Sequence, residues 1–265
     1  MFEKRDYSSP MKLMKFFKSS GKTDRIRTLT EIRLNQLVWR GKPRRAMDFK
    51  DACNEFPVEV RDIISSGEAE LTVSKIRGLF AELEQEQGSR LPFPVTFNAD
   101  ITFAILVYAF ARTLRPKVVL ECGVGYGISS ALILLALDQT GIGSLQSLDL
   151  PALADPEGVY TGAVVPKILR NRWQLRYGSS RKLLPGVLRE IDEVGLFISD
   201  SANVFTLQKY EYEIVFPKLA HHGVMIFNNI SARFQAFLES TSKGNFSIIW
   251  QVEKVSCATA LIVKE

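Results

Sequence analysis

The chain has 265 residues, of which 46% are apolar and 24% charged, and its formal net charge is +5. This profile is typical of an ordinary globular protein with room for one large α/β domain and an additional segment. It excludes a disulfide-rich or zinc-binding scaffold, because Cys53, Cys122 and Cys257 lie far apart. The apolar run 128–137 is too short to span a bilayer, and residues 1–5 lack the apolar core of a secretion signal. We therefore expect no transmembrane segment and a cytoplasmic location.

The positive charge is concentrated at the N-terminus. Residues 1–45 contain six lysines and seven arginines against four acidic residues, a net charge of +9, which leaves −4 for the rest of the chain. Such a segment suits nucleic acid, an anionic membrane or an acidic partner, and equally a solvated helical arm. We predict two parts: a basic N-terminal helical arm or cap, residues 1–94, and a second domain, residues 95–265.

Three helices are predicted within the N-terminal part, from apolar residues that recur at helical spacing. They cover residues 23–40, Val58–Ser65 and Glu68–Gln87. The predicted buried stripe of the third helix consists of Leu71, Ile76, Leu79, Phe80 and Leu83.

From about residue 95, short β-rich runs alternate with helical ones. A helix that Asn98 or Asp100 can cap runs to about residue 113. Strands are then predicted at 117–121, 144–149, 173–177, 194–199 and 223–228, with helices at 128–137, 164–171, 180–191 and 206–219. This alternation predicts right-handed crossovers and a parallel sheet.

The end of the chain follows a different pattern. Two strands, 246–252 and 258–263, are separated only by residues 253–257, too few for a crossover helix, so they must be antiparallel neighbours. The predicted fold class is α/β: a Rossmann-like, seven-stranded, mostly parallel sheet with an antiparallel C-terminal strand, plus an N-terminal helical extension.

A glycine-rich loop follows the first predicted strand of the sheet. Glu121 precedes Gly123, Gly125 and Gly127, so the loop reads G-x-G-x-G, and Ile128 stands where a dinucleotide site has its third glycine. A carboxylate here would repel a pyrophosphate, but it suits the ammonium group of S-adenosylmethionine (SAM). These residues favour SAM over NAD, and a tight turn without a ligand is the structural alternative.

Two further positions support a nucleoside site. Asp149 ends the second strand, where a carboxylate can accept hydrogen bonds from both ribose hydroxyls. Ser179 follows the third strand, at a position suited to the adenine edge, although Ser179 or Ser180 could equally cap the next helix.

Residues from about 95 to 265 resemble the class I SAM-dependent methyltransferases, and within them the catechol-O-methyltransferase-like branch that acts on small molecules. The resemblance is carried by Glu121–Gly127, Asp149, the stretch 196–201, and the stretch 212–219 that leads into 223–229. It implies methyl transfer from SAM to a small-molecule acceptor, most often a hydroxyl oxygen, with S-adenosylhomocysteine as the second product.

The predicted catalytic residues are Asp200, Asn228 and Asn229. Metal-dependent relatives in this branch have an Asp after the fourth strand and Asp-Asp or Asp-Asn after the fifth. Here Asp200 occupies the first place and Asn228-Asn229 the second. The missing carboxylate favours a site without a divalent metal, in which Asp200 is the candidate base. His221 and His222 are excluded as the base, because they lie in the turn at the amino end of the fifth strand.

The helix before the first strand offers further candidates, because Phe97, Asn98 and Asp100 could contact the methionine end of the cofactor, or simply begin the helix. The predicted partner is a small molecule. Nucleic acid is not expected, since no motif for a flipped base occurs, and a homo-oligomer remains open. Two alternatives remain: SAM chemistry other than methyl transfer, and a SAM-binding protein without turnover.

Overall fold

A seven-stranded sheet forms the centre of the computed structural model, which describes Thr30 and residues 46–92, 98–152, 154–155, 157–241, 244–254 and 257–265. The strands are β1 (Val118–Cys122), β2 (Ser144–Asp149), β3 (Trp173–Tyr177), β4 (Val194–Ser199), β5 (Leu219–Phe227), β6 (Asn245–Trp250) and β7 (Ala258–Val263).

The strand order is β3-β2-β1-β4-β5-β7-β6. Strands β1 to β5 pair in parallel, while β7 is antiparallel to both of its neighbours, β5 and β6. The predicted fold class and the antiparallel pairing at the C-terminus are therefore confirmed. The chain winds outward from β1 to β3 and then returns to place β4 beside β1, and a sheet of this type binds ligands at such a reversal, at the carboxyl ends of its strands.

Eight α-helices flank the sheet within the described residues. They are α1 (Phe49–Asn54), α2 (Val58–Ser65), α3 (Glu68–Gln87), α4 (Ile101–Leu114), α5 (Ile128–Thr140), α6 (Ser180–Glu190), α7 (Phe205–Val215) and α8 (Ala232–Thr241). Helices α1 to α5 cover one face and α6 to α8 the other. The central strands are apolar at successive positions because both of their faces are buried. In β4, for example, Leu196 and Ile198 pack on the first face and Phe197 on the second.

Helix α3 is packed into the first layer rather than standing apart from it. Its ring of Phe80 lies 5.0 Å from that of Tyr126 in the glycine loop. The predicted buried stripe is only partly right: Ile76 and Phe80 are buried, but Leu71 and Leu79 are 58% and 37% exposed. The buried face instead follows Ala69, Thr72, Val73, Ile76 and Phe80, a spacing of three and four residues that keeps them on one side of the helix.

Several predicted elements differ from the observed ones. The region predicted as helix 164–171 contains the 3₁₀ helix Lys167–Arg172, preceded by Pro166. The helix predicted at 206–219 ends at Val215, because Pro217 follows it in a 3₁₀ turn and β5 begins at Leu219. Helices α1 and α8 were not predicted. The predicted helix 23–40 lies outside the described residues, apart from Thr30.

Across the part of the chain that the structure describes, no helix combines the length and apolar character needed to cross a membrane.

Candidate active site

The carboxyl ends of β1, β2, β4 and β5 form one continuous edge. Each loop beyond a strand is tied to the next strand by a backbone hydrogen bond of 2.8 Å: Gly123 N–H donates to Leu148, Asp200 N–H to Cys122, and Asn228 N–H to Ser199. These bonds bring the glycine loop and the predicted catalytic segments together where the strand order reverses between β1 and β4. We call this the switch-point edge of the sheet. Cys122 itself is fully buried, as expected of a packing residue.

The three glycines of the loop have positive φ angles of 91°, 53° and 92°, in a region that favours glycine. A Cβ on Gly123 would lie 2.3 Å from the carbonyl oxygen of Asp200, and one on Gly127 would lie 2.7 Å from Cα of Gly162. A Cβ on Gly125, by contrast, would have no atom of a described residue within 4 Å, its two chain neighbours aside. Two of the glycines therefore permit close approach of the protein's own backbone, and only Gly125 faces open space where a ligand could approach.

The segment between β2 and β3 packs over this loop. Gly162 N–H donates to the carbonyl of Gly125 at 2.9 Å, and Val164 N–H donates to that of Tyr126 at 3.1 Å. The loop is thus held by this segment on one side and by α3, through Phe80, on another.

Glu121 has a different environment from the one its sequence position suggested. Its carboxylate is fully buried and accepts hydrogen bonds from the hydroxyls of Ser129 (2.6 Å), Ser130 (2.6 Å) and Ser147 (2.7 Å). Burial raises the pKa of Glu121, and the three hydroxyl donors act in the opposite direction. Glu121 therefore joins β1, β2 and the start of α5, while its direct contact with a cofactor remains a prediction.

Asp149 lies partly buried at the end of β2, directly below the glycine loop. Its Oδ2 accepts a hydrogen bond from Gly125 N–H at 3.2 Å. Burial raises the pKa of Asp149 to about 7, although backbone N–H groups that include that of Gly125 favour the ionised form. Gly178 N–H donates to the carbonyl of Asp149 at 2.8 Å, which places Ser179 beside it. Ser179 directly precedes α6, where its side chain makes no capping hydrogen bond to a described residue.

Asp200 follows β4 and is hydrogen-bonded to Asn228, the residue that follows β5. Asn228 Nδ2 donates to its Oδ1 at 2.7 Å. Burial raises the pKa of Asp200 to about 7, while the hydrogen bond from Asn228 and the charge of Lys254 lower it, and the charges of Glu121 and Asp149 raise it further. A carboxyl group with this pKa can exchange a proton near neutral pH.

The side chain of Asn228 is buried and its hydrogen bonds are internal. While Nδ2 donates to Asp200, Oδ1 accepts from Gln251 Nε2 at 2.5 Å, and the backbone carbonyl accepts from Gln208 Nε2 at 3.2 Å. Asn229 has a φ of 48° and a buried Oδ1 without a hydrogen-bond partner among the described residues. The structure thus brings Asn228 into direct contact with Asp200 and assigns Asn229 no such bond.

Sequence reasoning missed three residues of the site. Glu211, in α7, accepts hydrogen bonds from the hydroxyls of Ser199 (2.7 Å) and Ser201 (3.0 Å), the two residues on either side of Asp200. Gln251 and Lys254 approach from the connection between β6 and β7. In the sequence, only the serines on either side of Asp200 hinted at a polar cluster around it. The contacts of Glu211, Gln251 and Lys254 join residues far apart in sequence, so no local pattern reveals them.

Some sequence candidates have other roles or positions. Asp100 is buried and caps α4 by accepting from Thr102 N–H at 2.8 Å, and its other oxygen accepts from the backbone N–H groups of Glu253 and Lys254. It is therefore a structural residue rather than an open contact for a cofactor. The carbonyl of Asn98 accepts from Lys254 Nζ at 2.6 Å, and Phe97 lies outside the described residues.

The two histidines were predicted in a turn, and that prediction is wrong in detail. The sheet pairing extends back to Leu219, so His221 and His222 lie within β5, where both are exposed. They are at the amino end of the strand, opposite the edge that carries Asp149 and Asp200.

Comparison with solved structures finds the same fold. The chain is similar to the O-methyltransferase TomG from Streptomyces achromogenes, solved with SAM: identity is 16%, the TM-score is 0.54, and the match covers 73% of this chain and 90% of that one. An O-methyltransferase from Bacillus cereus, solved with S-adenosylhomocysteine, is 14% identical with a TM-score of 0.54, and the match covers 73% of this chain and 90% of that one. The methyltransferase PaMTH1 from Podospora anserina is 15% identical with a TM-score of 0.52, and the match covers 79% of this chain and 97% of that one.

Residues 120–230 match a family model described as a methyltransferase domain. This match covers less than half of the 265 residues, and together with the strand order it agrees with the methyltransferase fold of the solved neighbours. The matched residues run from β1 to the end of the segment that follows β5, and so include the glycine loop, Asp149, Asp200 and Asn228. A search of the curated proteins finds no match.

At this edge, part of the oxygen set that a divalent metal would need already accepts hydrogen bonds within the protein. Asn228 Oδ1, the atom that would face a cation, already accepts from Gln251, and Asn228 presents its Nδ2 donor to Asp200. An N–H group directed at the carboxylate competes with a cation for the same oxygen. These two hydrogen bonds favour a hydrogen-bonded site over a metal centre, although Asn229 Oδ1 has no partner among the described residues.

Proposed function

We propose that the chain transfers a methyl group from SAM to a small-molecule acceptor, with a hydroxyl oxygen as the receiving atom. The observation that carries the proposal is the switch-point edge, where an open glycine, Gly125, and two carboxyl groups, Asp149 and Asp200, lie on adjacent strands of a methyltransferase fold. The names of the solved neighbours, which include O-methyltransferases with bound SAM and S-adenosylhomocysteine, support the same chemistry.

The cofactor-binding residues in this proposal are Asp149, Ser179 and the loop Gly123, Gly125 and Gly127, with Glu121 behind them. The residues fit a nucleoside, because Asp149 supplies carboxylate acceptors beside a glycine whose Cβ position is open. When bound, SAM supplies an electrophilic methyl group. Glu121 stabilises the loop from below through Ser129 and Ser130, which keeps the start of α5 in register with β1.

Asp200 accepts the proton of the acceptor hydroxyl. Its pKa of about 7, raised by burial, means that the ionised form is available at neutral pH and still has a useful affinity for a proton. Glu211 fixes its two neighbours and Asn228 fixes its Oδ1, so the carboxylate is oriented before an acceptor arrives. Asn229 Oδ1, buried without a described partner, is a candidate acceptor for a second donor group.

We also propose the division into an N-terminal helical cap, residues 1–94, and the catalytic domain, residues 95–265, in the cytoplasm. Contact of Phe80 with Tyr126 supports a covering role for α3, because it joins that helix to the glycine loop.

Incubation of the full chain with SAM and a panel of phenols, catechols and aliphatic alcohols tests the proposal. We expect S-adenosylhomocysteine and an O-methylated product to form in equal amounts. A different product from SAM, or SAM binding measured by calorimetry with no turnover on any acceptor, would contradict it. The Asp149→Ala variant should bind SAM more weakly, whereas His222→Ala, at the opposite end of β5, is the matched control and should not.

A further inference from the structure

We propose that Gln251 is a positioning residue of the acceptor site, which acts on Asp200 through the side-chain amide of Asn228. This inference rests on the proposed function, because it gives Gln251 a part in the proton transfer assigned there to Asp200.

In the structure the amide nitrogen of Gln251, rather than its oxygen, faces Asn228. Gln251 is 6% exposed, and its Nε2 donates both to Asn228 Oδ1 at 2.5 Å and to Thr259 Oγ1 at 3.2 Å. With a donor on its Oδ1 side, Asn228 must turn Nδ2 towards Asp200, where it donates at 2.7 Å. The three side chains thus form a chain with one direction, from Gln251 through Asn228 to Asp200.

That direction decides which form of Asp200 is stabilised. An N–H donor favours the ionised carboxylate, whereas an amide turned by 180° would present an oxygen and favour the protonated acid. Asn228 can adopt either orientation within the same space, because its amide oxygen and nitrogen are nearly equal in size. Gln251 selects the one that keeps Asp200 ready to accept a proton.

The backbone around Gln251 is anchored independently of the amide chain. Val252 N–H donates to Thr102 Oγ1 at 3.2 Å, and the N–H groups of Glu253 and Lys254 donate to Asp100 Oδ2 at 2.8 and 3.1 Å. A substitution of the Gln251 side chain should therefore leave the β6–β7 connection in place. This anchoring also gives the buried carboxylate of Asp100 a structural role, because it holds the backbone of the β6–β7 connection in place.

Other charged groups act on Asp200 from three elements. Lys254 lies in the β6–β7 connection, Glu121 in β1 and Asp149 at the end of β2. A substitution of Gln251 by another residue changes none of these three charges. A change in the titration of Asp200 would therefore report the amide chain.

The test is an NMR titration of the full chain labelled with ¹³C in the aspartate carboxyl groups, with the Asp200 signal identified by its loss in Asp200→Asn. In Gln251→Leu we expect the midpoint of Asp200 to rise by about one pH unit, the equivalent of one hydrogen bond to a charged group. Gln251→Met, an uncharged side chain of similar length without a donor, should raise it by a similar amount. Val252→Ala, whose side chain is exposed in the same connection, is the matched control and should not change it.

A double variant separates positioning from general loosening of the fold. In an Asn228→Ala background, Gln251→Leu should cause no further change, because the link to Asp200 is already lost. An equal shift in that background, or no shift with either Gln251 variant in the otherwise natural chain, would overturn the proposal. If the shift occurs but Asp200→Asn still methylates acceptors at the natural rate, Gln251 acts on Asp200 as inferred and the base in the proposed function is wrong.

Discussion

Four carboxyl groups lie near the carboxyl ends of the strands, and their surroundings divide them into two pairs. Glu121 and Glu211 are fully buried, and each accepts hydrogen bonds from serine hydroxyls that belong to neighbouring elements. Asp149 and Asp200 are partly exposed, and each has a pKa raised by burial to about 7. The first pair holds the loops together, and the second pair has the freedom to bind or to exchange protons.

Asp200→Asn tests the proton acceptor. We expect kcat to fall by about 10²- to 10⁴-fold, the usual contribution of a general base, with little change in SAM affinity. In the natural enzyme the rate should rise with pH through about 7, because only the ionised Asp200 accepts a proton. The residual activity of Asp200→Asn should lack this rise, as measured by steady-state rates between pH 5 and 9. A variant that keeps the rise would show that another group titrates.

The sequence was informative about residues that directly follow a strand and silent about those that meet across the sheet. Asp149 and Asp200 could be predicted because any residue after a parallel strand faces the same edge. Gln251 and Glu211 could not, because their contacts with Asn228 and with the serines around Asp200 depend on strand order and helix packing. The burial of Glu121 was also beyond reach, since the serines around it come from two separate elements.

At the scale of elements, the glycine loop combines two functions that its sequence pattern does not distinguish. Gly123 and Gly127 allow the loop to pack against the segment after β4 and against Gly162, while Gly125 borders open space. A pattern of three glycines shows where a tight turn lies, but not which glycine faces a ligand.

Gly123→Ala and Gly125→Ala form a matched pair that separates these functions. Gly123→Ala should destabilise the fold by about 4 kcal/mol or more, because its Cβ would overlap the backbone of Asp200. Gly125→Ala should cost only about 1–2 kcal/mol, from its positive φ, yet weaken SAM binding. Urea denaturation and SAM calorimetry on both variants provide the measurements. Equal losses of stability would contradict the different environments of the two glycines.

Helix α3 shows how packing overrides a simple apolar pattern. Its largest apolar residues predicted a stripe that includes Leu71 and Leu79, but the face that meets α4 and α5 carries smaller residues such as Ala69 and Val73. The small side chains allow the helices to approach closely, and a count of large apolar residues does not detect that. The boundaries of α3 itself were predicted correctly, because its long run of helix-forming residues is bounded by glycines at 67 and 88.

Phe80→Ala tests the link between α3 and the glycine loop. Loss of this buried ring should cost about 3 kcal/mol of stability and should also weaken SAM binding, because Tyr126 loses its packing partner. Leu79→Ala, one position along the same helix and partly exposed, should cost much less and leave binding unchanged. Thermal unfolding and SAM titration of the two variants decide the matter. Normal SAM binding in a folded Phe80→Ala variant would remove α3 from the cofactor site.

At the scale of the whole molecule, the four carboxyl groups at the switch-point edge couple folding to pH. Each has a pKa raised above its ordinary value, with burial as the main cause. A carboxyl group whose pKa is raised on folding stabilises the folded state fully below its unfolded pKa, and this contribution is lost as pH rises through the folded pKa. For Asp149 and Asp200 the window runs from about 4 to about 7.

The free energy of unfolding of the ligand-free protein should therefore decrease by a few kcal/mol between pH 5 and pH 7.5 through these groups. Urea denaturation across that range measures it, and an Asp149→Asn, Asp200→Asn double variant isolates the contribution. Since the amides carry no charge at any pH, the double variant should be more stable than the natural protein at pH 7.5 and similar to it at pH 4.5.

Replacing the exposed Glu190 by Gln is the control, because that carboxyl group has a lowered pKa from its contact with Arg176 and should not reproduce the effect. Identical pH dependence in the natural protein and the double variant would mean that these two carboxyl groups do not carry a folding cost at neutral pH. If the double variant is more stable at pH 7.5, the ionised carboxylates of Asp149 and Asp200 lower the stability of the natural protein at that pH. A binding or catalytic site retains such destabilising charges because they serve its function, whereas a purely structural turn has no reason to keep them.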